Sequence, residues 1–402
     1  MSGLQKSFAK IKLASFSTMT RFDEADEDGI QEHLELHPAS SLPTRDDGSS
    51  SGSSISSNST IKPSQYLESS ARPEGHMEKK KYVTLSWTSF FERELQIYSE
   101  TESMQILYHA YLTSPIDNAP LFVMHHGAGS SGLSFASIAL EIRKLLPSAG
   151  ILSLDARGHG FTHITPSEKD LDLSLSTLSE DLIFVITETK KMLKWPEMPP
   201  LILVGHSLGG AVITEIARTA KLEDKLMCYV VIDVVEGSAI DALKSMQTYL
   251  SSRPTSFRSL EAAVEWHVRT RTIRNLKSAQ ISVPALLKQR EDSDLWTWRT
   301  DLAATEPYWE RWFAGMSKKF LEGKSSKLLM LAGTDRLDTE LLIGQMQGTP
   351  LTQIFPEAGH FIHEDLPGKA ASILIDFFNR NDRSKLVLPP KVADMLLAGK
   401  KI

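Results

Sequence analysis

The sequence predicts an α/β protein: a mostly parallel central sheet flanked by helices, with a helical cap inserted before the last strands. Three observations carry this expectation. Short, continuously apolar runs (LFVMHH, ILSLDA, LILVGH, MCYVVIDVV) recur through the middle of the chain, and such runs suit strands buried on both faces. Stretches of helical spacing separate them, at residues 134–146, at 175–193 and after Ser207, as crossovers between parallel strands require. Between Gly237 and Lys324 the apolar runs stop and helical spacing alone continues.

Taken in order, residues 1–75 are rich in Ser, Asp and Glu and include SSLPTRDDGSSSGSSISSNST. A segment with so few apolar positions buries too little surface to offset its ordering entropy, so a disordered extension is expected. From Tyr82 the runs YVTLSW, LQIYS and QILYHAYLT read as antiparallel opening strands. Residues 76–236 and 325–380 are assigned to the core, 237–324 to the cap and 381–402 to a tail. In the cap, Ile240, Leu243, Met246 and Leu250 share one helical face, and Leu260, Val264 and Val268 another. Trp296, Trp298, Tyr308, Trp309, Trp312 and Phe313 cluster there, as packing aromatics or as the lining of an entrance. SKLLMLAG and LTQIF supply the last strands, and residues 366–379 a closing helix that buries Ala370, Ile373, Ile375 and Phe377.

Composition narrows the function. Lys and Arg number 44 against 50 Asp and Glu, a formal charge of −6, too mild and too evenly spread for a nucleic-acid binder or a basic membrane surface. The single cysteine, Cys228, lies inside an apolar run and is expected to be a small buried side chain. Lys6, Lys10 and Lys12 precede no apolar stretch long enough for a secretory signal. No apolar run approaches the ~18 residues needed to cross a bilayer. A soluble protein of a reducing compartment, cytoplasmic or nuclear, is expected, with Lys79, Lys80 and Lys81 forming a solvated turn.

Gly205-His206-Ser207-Leu208-Gly209 fits G-x-S-x-G and lies between the apolar run LILV and a helix-forming segment. This is the setting of the nucleophile elbow of the α/β-hydrolase fold, where flanking glycines admit a strained turn and close chain approach. Serine needs a base to take its proton. His360, in PEAGHFIHED after the last strand, is placed for that role; His363 falls at the start of the next element, His206 should point away from Ser207, and His125 and His126 end another strand. The third member of a triad is a carboxylate that orients the imidazole. Asp233, Asp335 and Asp338 all satisfy the order Ser, Asp, His, so order leaves the choice open. Oxyanion donors are expected at the backbone N–H groups of Leu208 and Ala128, the latter in a His-Gly-Ala-Gly turn of the HGGG type. Asp155 and Arg157, in Asp-Ala-Arg-Gly-His-Gly, are expected to brace loops rather than react.

GHSLGGA, IDVVEGSAIDALKSMQ, the RPTSF and EW that follow, TWRTDLAATEPYWERWF, LLMLAGTDRLD, IGQMQG and GHFIHED together extend the likeness beyond a fold. From Trp87 to Phe378 the chain resembles the protein phosphatase methylesterase 1 family, and IDVVEG and IGQMQG are the most specific segments. The resemblance implies a serine carboxylesterase that demethylates the C-terminal leucine of the protein phosphatase 2A catalytic subunit, with no cofactor and no metal. It also implies Asp233 as the triad acid, alongside Ser207 and His360. This chain departs from the family in its serine-rich N-terminus and at residues 289–294, where QREDSD stands in place of a long acidic insertion that the family can carry.

Overall fold

The computed structural model describes residues 81–101, 104–166, 171–348 and 351–382. The expected N-terminal extension and residues 383–402 of the expected tail lie outside the described residues. The strands are β1 (Arg93–Glu100), β2 (Gln105–Thr113), β3 (Leu121–His125), β4 (Gly150–Asp155), β5 (His163–Thr165), β6 (Leu201–His206), β7 (Leu226–Ile232), β8 (Leu287–Gln289), β9 (Trp296–Trp298), β10 (Ser326–Leu331) and β11 (Leu351–Ile354). The main sheet runs β1-β2-β4-β3-β6-β7-β10-β11, with β5 on β2. β1, β2 and β5 pair antiparallel, and every pair from β4 across to β11 is parallel.

Period-two side-chain geometry divides the apolar residues of these strands between two cores, one on each face. Leu121, Val123, Leu201, Leu203, Tyr229, Val231, Leu329 and Leu331 join the first core, with Leu178, Leu182, Val185 and Ile186 of the helix Leu175–Met192 and the helix Leu208–Thr219. Phe122, Met124, Ile202, Val204, Cys228, Val230, Leu328 and Met330 face the second, with the helices Ala136–Leu145 and Pro367–Asn381. Burial on both faces is why β3, β6 and β7 read as unbroken apolar runs. The helix Leu175–Met192 carries Lys190 and Lys191 in its last turn, where they complement its dipole. Pro367 opens the closing helix, where its missing N–H costs nothing.

Two expectations are corrected. YVTLSW is not a strand; it runs as coil into a one-turn 3-10 helix at Trp87–Ser89. Its one backbone bond outside that turn among the described residues is Leu85 N to Gln280 O at 3.0 Å, so it packs against a helix instead of joining the sheet. Nor is the inserted region purely helical: β8 and β9 form an antiparallel hairpin, extended by paired bonds of 2.8 Å between Phe257 and Trp296. The apolar face through Ile240 and Leu250 is carried by two helices, Glu236–Leu243 and Met246–Ser252.

The aromatic cluster also divides. Trp296 and Trp298 pack around Phe257, Val264 and Leu287 in a small core of the insertion. Trp309, Trp312 and Phe313 belong to the first main core, and the indole of Trp312 donates to Leu173 O at 2.7 Å. The insertion is thus anchored by large buried side chains, and Leu302 brings it down onto the loop after β3, where a Cβ added to Gly129 would meet its side chain at 2.6 Å.

Candidate active site

Ser207 occupies the bend between β6 and the helix Leu208–Thr219 with φ 52 and ψ −118, a conformation that costs a non-glycine residue about 1–3 kcal/mol. The surroundings over-determine it. Its N–H donates to Ile232 O at 3.0 Å, and the chain packs so closely that a Cβ on Gly205 would lie 2.2 Å from Gly209 O and one on Gly209 2.0 Å from His125 O. The glycines around Ser207 are therefore required by space, and its hydroxyl is held at the carboxyl ends of the parallel strands.

Asp233 follows β7 with φ 54 and a fully buried carboxylate. Its N–H donates to Met330 O at 2.7 Å. Oδ1 accepts from Ala332 N at 2.8 Å, and Oδ2 accepts both from His360 Nδ1 at 2.8 Å and from Arg336 Nη1. Because the carboxylate only accepts, His360 carries its proton on Nδ1 and presents the Nε2 lone pair. His360 lies between β11 and the short helix Ile362–Asp365, and its side chain is 44% exposed, enough for a substrate to reach it. No hydrogen bond joins Ser207 Oγ to His360 among the described residues. Of the three acids left open by sequence order, the one against His360 is Asp233. Asp338 caps the helix Thr339–Met346 by accepting from Leu341 N at 3.0 Å. Asp335 lies in the one-turn helix Thr334–Arg336.

The other histidines have separate positions. His363 is wholly buried against Phe135, ring centroids 4.5 Å apart, and neither nitrogen has a partner among the described residues; burial pushes its pKa down to about 3. His206 turns toward His360: its Nε2 donates to His360 O at 3.0 Å and its ring lies 4.5 Å from that of His360. Burial, with His360 and His363 nearby, holds His206 well below the usual imidazole range. It therefore serves as a neutral brace for the loop carrying His360.

The loop after β3 borders Ser207, since a Cβ on Gly127 would lie 3.0 Å from Ser207 Cβ. Two imidazoles clamp this loop. His126 Nδ1 donates to Gly127 O at 2.8 Å while its Nε2 accepts from Ala156 N at 3.0 Å. His159 Nδ1 donates to Arg157 O at 2.8 Å while its Nε2 accepts from Gly129 N at 2.9 Å. Each ring needs one protonated and one bare nitrogen, so both are neutral, and burial holds both below the ordinary imidazole value. Between the clamped residues, the Ala128 N–H has no acceptor among the described residues, nor has the Leu208 N–H. Free, fixed donors on either side of a hydroxyl are the elements of an oxyanion hole. The roles of His126, His159 and Arg336 were missed by sequence reasoning.

Asp155 and Arg157 brace the surroundings, as expected. Asp155 accepts from Gly132 N at 2.7 Å, Phe161 N at 2.9 Å and His109 Nδ1 at 2.9 Å. Arg157 grips Asp181 through two nitrogens, at 2.8 and 2.6 Å. Buried paired charges of this kind fix loop geometry more than they add stability.

Residues 122–372 match the model of the alpha/beta hydrolase family. The chain is 56% identical to protein phosphatase methylesterase 1 of Gibberella zeae and 52% identical to that of Neurospora crassa, each over the full length of both proteins. It is 46% identical to that of Schizosaccharomyces pombe over 76% of this chain and 87% of that protein. Among solved structures, E-2-(acetamidomethylene)succinate hydrolase aligns with a TM-score of 0.55 at 17% identity, covering 71% of this chain and all of that one. The thioesterase domain from the curacin biosynthetic pathway aligns with a TM-score of 0.51 at 19% identity, covering 70% and 99%. These two likenesses bear on the fold alone. With an α/β-hydrolase sheet, a serine elbow and relatives of this identity along the whole chain, the protein belongs to the protein phosphatase methylesterase 1 family and is a carboxylic ester hydrolase.

Proposed function

We propose that the chain removes the methyl ester from the C-terminal leucine of the protein phosphatase 2A catalytic subunit, through a Ser207–His360–Asp233 triad and an acyl-enzyme. The observation that carries this reading is the 2.8 Å contact between His360 Nδ1 and the buried Asp233 carboxylate. It fixes the tautomer in which Nε2 can take a proton from serine. The names of the relatives support the substrate class.

In this scheme Ser207 Oγ attacks the ester carbonyl as its proton passes to His360 Nε2, and the oxyanion is received by the N–H groups of Leu208 and Ala128. Collapse breaks the bond to the methoxy oxygen, and methanol leaves with the proton from His360. Water, deprotonated by the same imidazole, then attacks the acyl carbonyl and releases the leucine carboxylate and Ser207. A methyl group offers little to grip, so selectivity rests on contacts remote from the ester, with the phosphatase tail and its folded surface.

Incubation of methylated phosphatase 2A with the wild type and with Ser207→Ala tests the reading. Loss of the methyl ester with the wild type only is expected. Equal loss with both would remove Ser207 from the scheme; no loss with the wild type, alongside rapid aryl-ester hydrolysis, would remove the phosphatase as substrate.

A further inference from the structure

The oxygen of Asp233 that accepts from His360 also accepts from Arg336 Nη1, and Asp233 is the one partner that the described residues give this guanidinium. We propose that Arg336 is a positioning residue of the reaction, whose guanidinium locks the Asp233 carboxylate against His360 and moderates the charge that the base feels. This rests on the triad of the proposed function and adds a residue to it.

The geometry restricts the carboxylate at every point. Ala332 N–H takes Oδ1, while Arg336 and His360 share Oδ2, so rotation about the Cβ–Cγ bond would break all three contacts. The side chain of Asp233 is fully buried while that of Arg336 is 29% exposed, so the cation neutralises a charge that water does not reach. Arg336 ends the turn after β10 and Asp233 directly follows β7, the adjacent parallel strand. The ion pair therefore ties two loops of the site together.

Sharing an oxygen has an electrostatic consequence. A guanidinium on the same oxygen as the imidazole withdraws charge from the carboxylate and repels the imidazolium that forms during catalysis. The other groups around His360 are the neutral rings of His206, at 4.5 Å, and Phe361, at 5.4 Å, with His363 beyond His206. Arg336 is therefore the one cation set against the base among the described residues. Its removal should have two separable effects: a loosened carboxylate lowers kcat, and a fully charged carboxylate keeps the imidazole protonated to higher pH.

The test uses full-length Arg336→Ala, Arg336→Gln and Arg336→Lys, with p-nitrophenyl acetate as the probe and Ser207→Ala as the blank. For Arg336→Ala, kcat at pH 7 should fall about tenfold, a part of the ~10²–10⁴ that a general base supplies, with KM within about twofold. The acid limb of kcat against pH should move up by about one unit. Arg336→Lys should keep the limb near its wild-type position, and guanidinium ion at non-denaturing concentration should recover activity in Arg336→Ala but not in Arg336→Gln. An unmoved limb, or a uniform loss at every pH with a lowered melting temperature in all three variants, overturns the proposal. Should Arg336→Ala fold poorly, the limb positions of the Gln and Lys variants give the same reading. Normal ester hydrolysis with these shifts, but no demethylation of phosphatase 2A, would reject the proposed substrate and leave the role of Arg336 standing.

Discussion

Gly129 donates its backbone N–H to His159 Nε2 at 2.9 Å, so the loop beside Ser207 is held from the turn that follows β4. The interaction restrains the peptide that follows Ala128. His159→Ala should lower kcat about tenfold with KM little changed, because a displaced oxyanion donor is felt mainly in the transition state. A trifluoromethyl ketone, which mimics the tetrahedral intermediate, should lose affinity by a similar factor. Unchanged inhibitor affinity in a folded variant would dissociate His159 from the oxyanion loop.

Asp233 and Asp335 are separated by one experiment. Asp233→Asn removes the ionised partner of His360 Nδ1 and should lower kcat by ~10³–10⁴. Asp335→Asn should stay within about threefold of the wild type, because the carboxylate on His360 Nδ1 is that of Asp233. The reverse pattern would reassign the triad acid.

Gly209→Ala places a methyl group 2.0 Å from His125 O, in backbone with no free space to yield. A destabilisation of about 3 kcal/mol or more is expected. Thermal melting should show it, together with lost labelling of Ser207 by a fluorophosphonate; a wild-type melting temperature would contradict the packing described at the elbow.

Stability should fall on acidification. His125 and His267 are pushed by burial to about 4 and His363 to about 3, and His126, His159 and His206 are lowered as well. The unfolded chain binds these protons near pH 6.5 and the native one only at lower pH. Each ring's contribution is therefore complete above about 6.5 and is lost as pH falls toward the native value, by up to about 1.4 kcal/mol per pH unit. Glu364 and Asp365, raised by burial, and His109, raised against burial by its bonds to Asp155 and Glu94, act in the opposite sense, but the six lowered imidazoles outnumber these three groups. The urea midpoint should drop between pH 7 and pH 5; a flat or rising midpoint would count against neutral buried rings.

A short peptide ending in a leucine methyl ester should be a far poorer substrate than methylated phosphatase 2A, if binding remote from the ester supplies the selectivity. Similar kcat/KM for the two would refute that.

The parts of this molecule legible in the sequence are those set by local sterics and two-sided burial. β3, β6 and β7 announce themselves as apolar runs because helices cover both faces, and Ser207 does so because Gly205 and Gly209 are the only residues its bend admits. YVTLSW alternates like a strand, but no neighbouring strand takes up its backbone, and alternation carries no information about partners. β8 and β9 have three residues each, too few for a period to register. The choice of acid and the contact of Arg336 join residues 127 and 103 positions apart. Such pairings follow from the strand order β6-β7-β10-β11 and leave no mark in either local segment.

Cys228, the chain's single cysteine, is sealed in β7, and burial pushes its thiol up to about 12. At neutral pH maleimides and spin labels should pass it by, so the native protein is already a template for site-specific attachment. A cysteine introduced on the insertion near Leu302 could carry a fluorophore whose signal arises from that position alone, allowing its approach to the serine loop to be followed during turnover without first stripping the background of reactive sulfur.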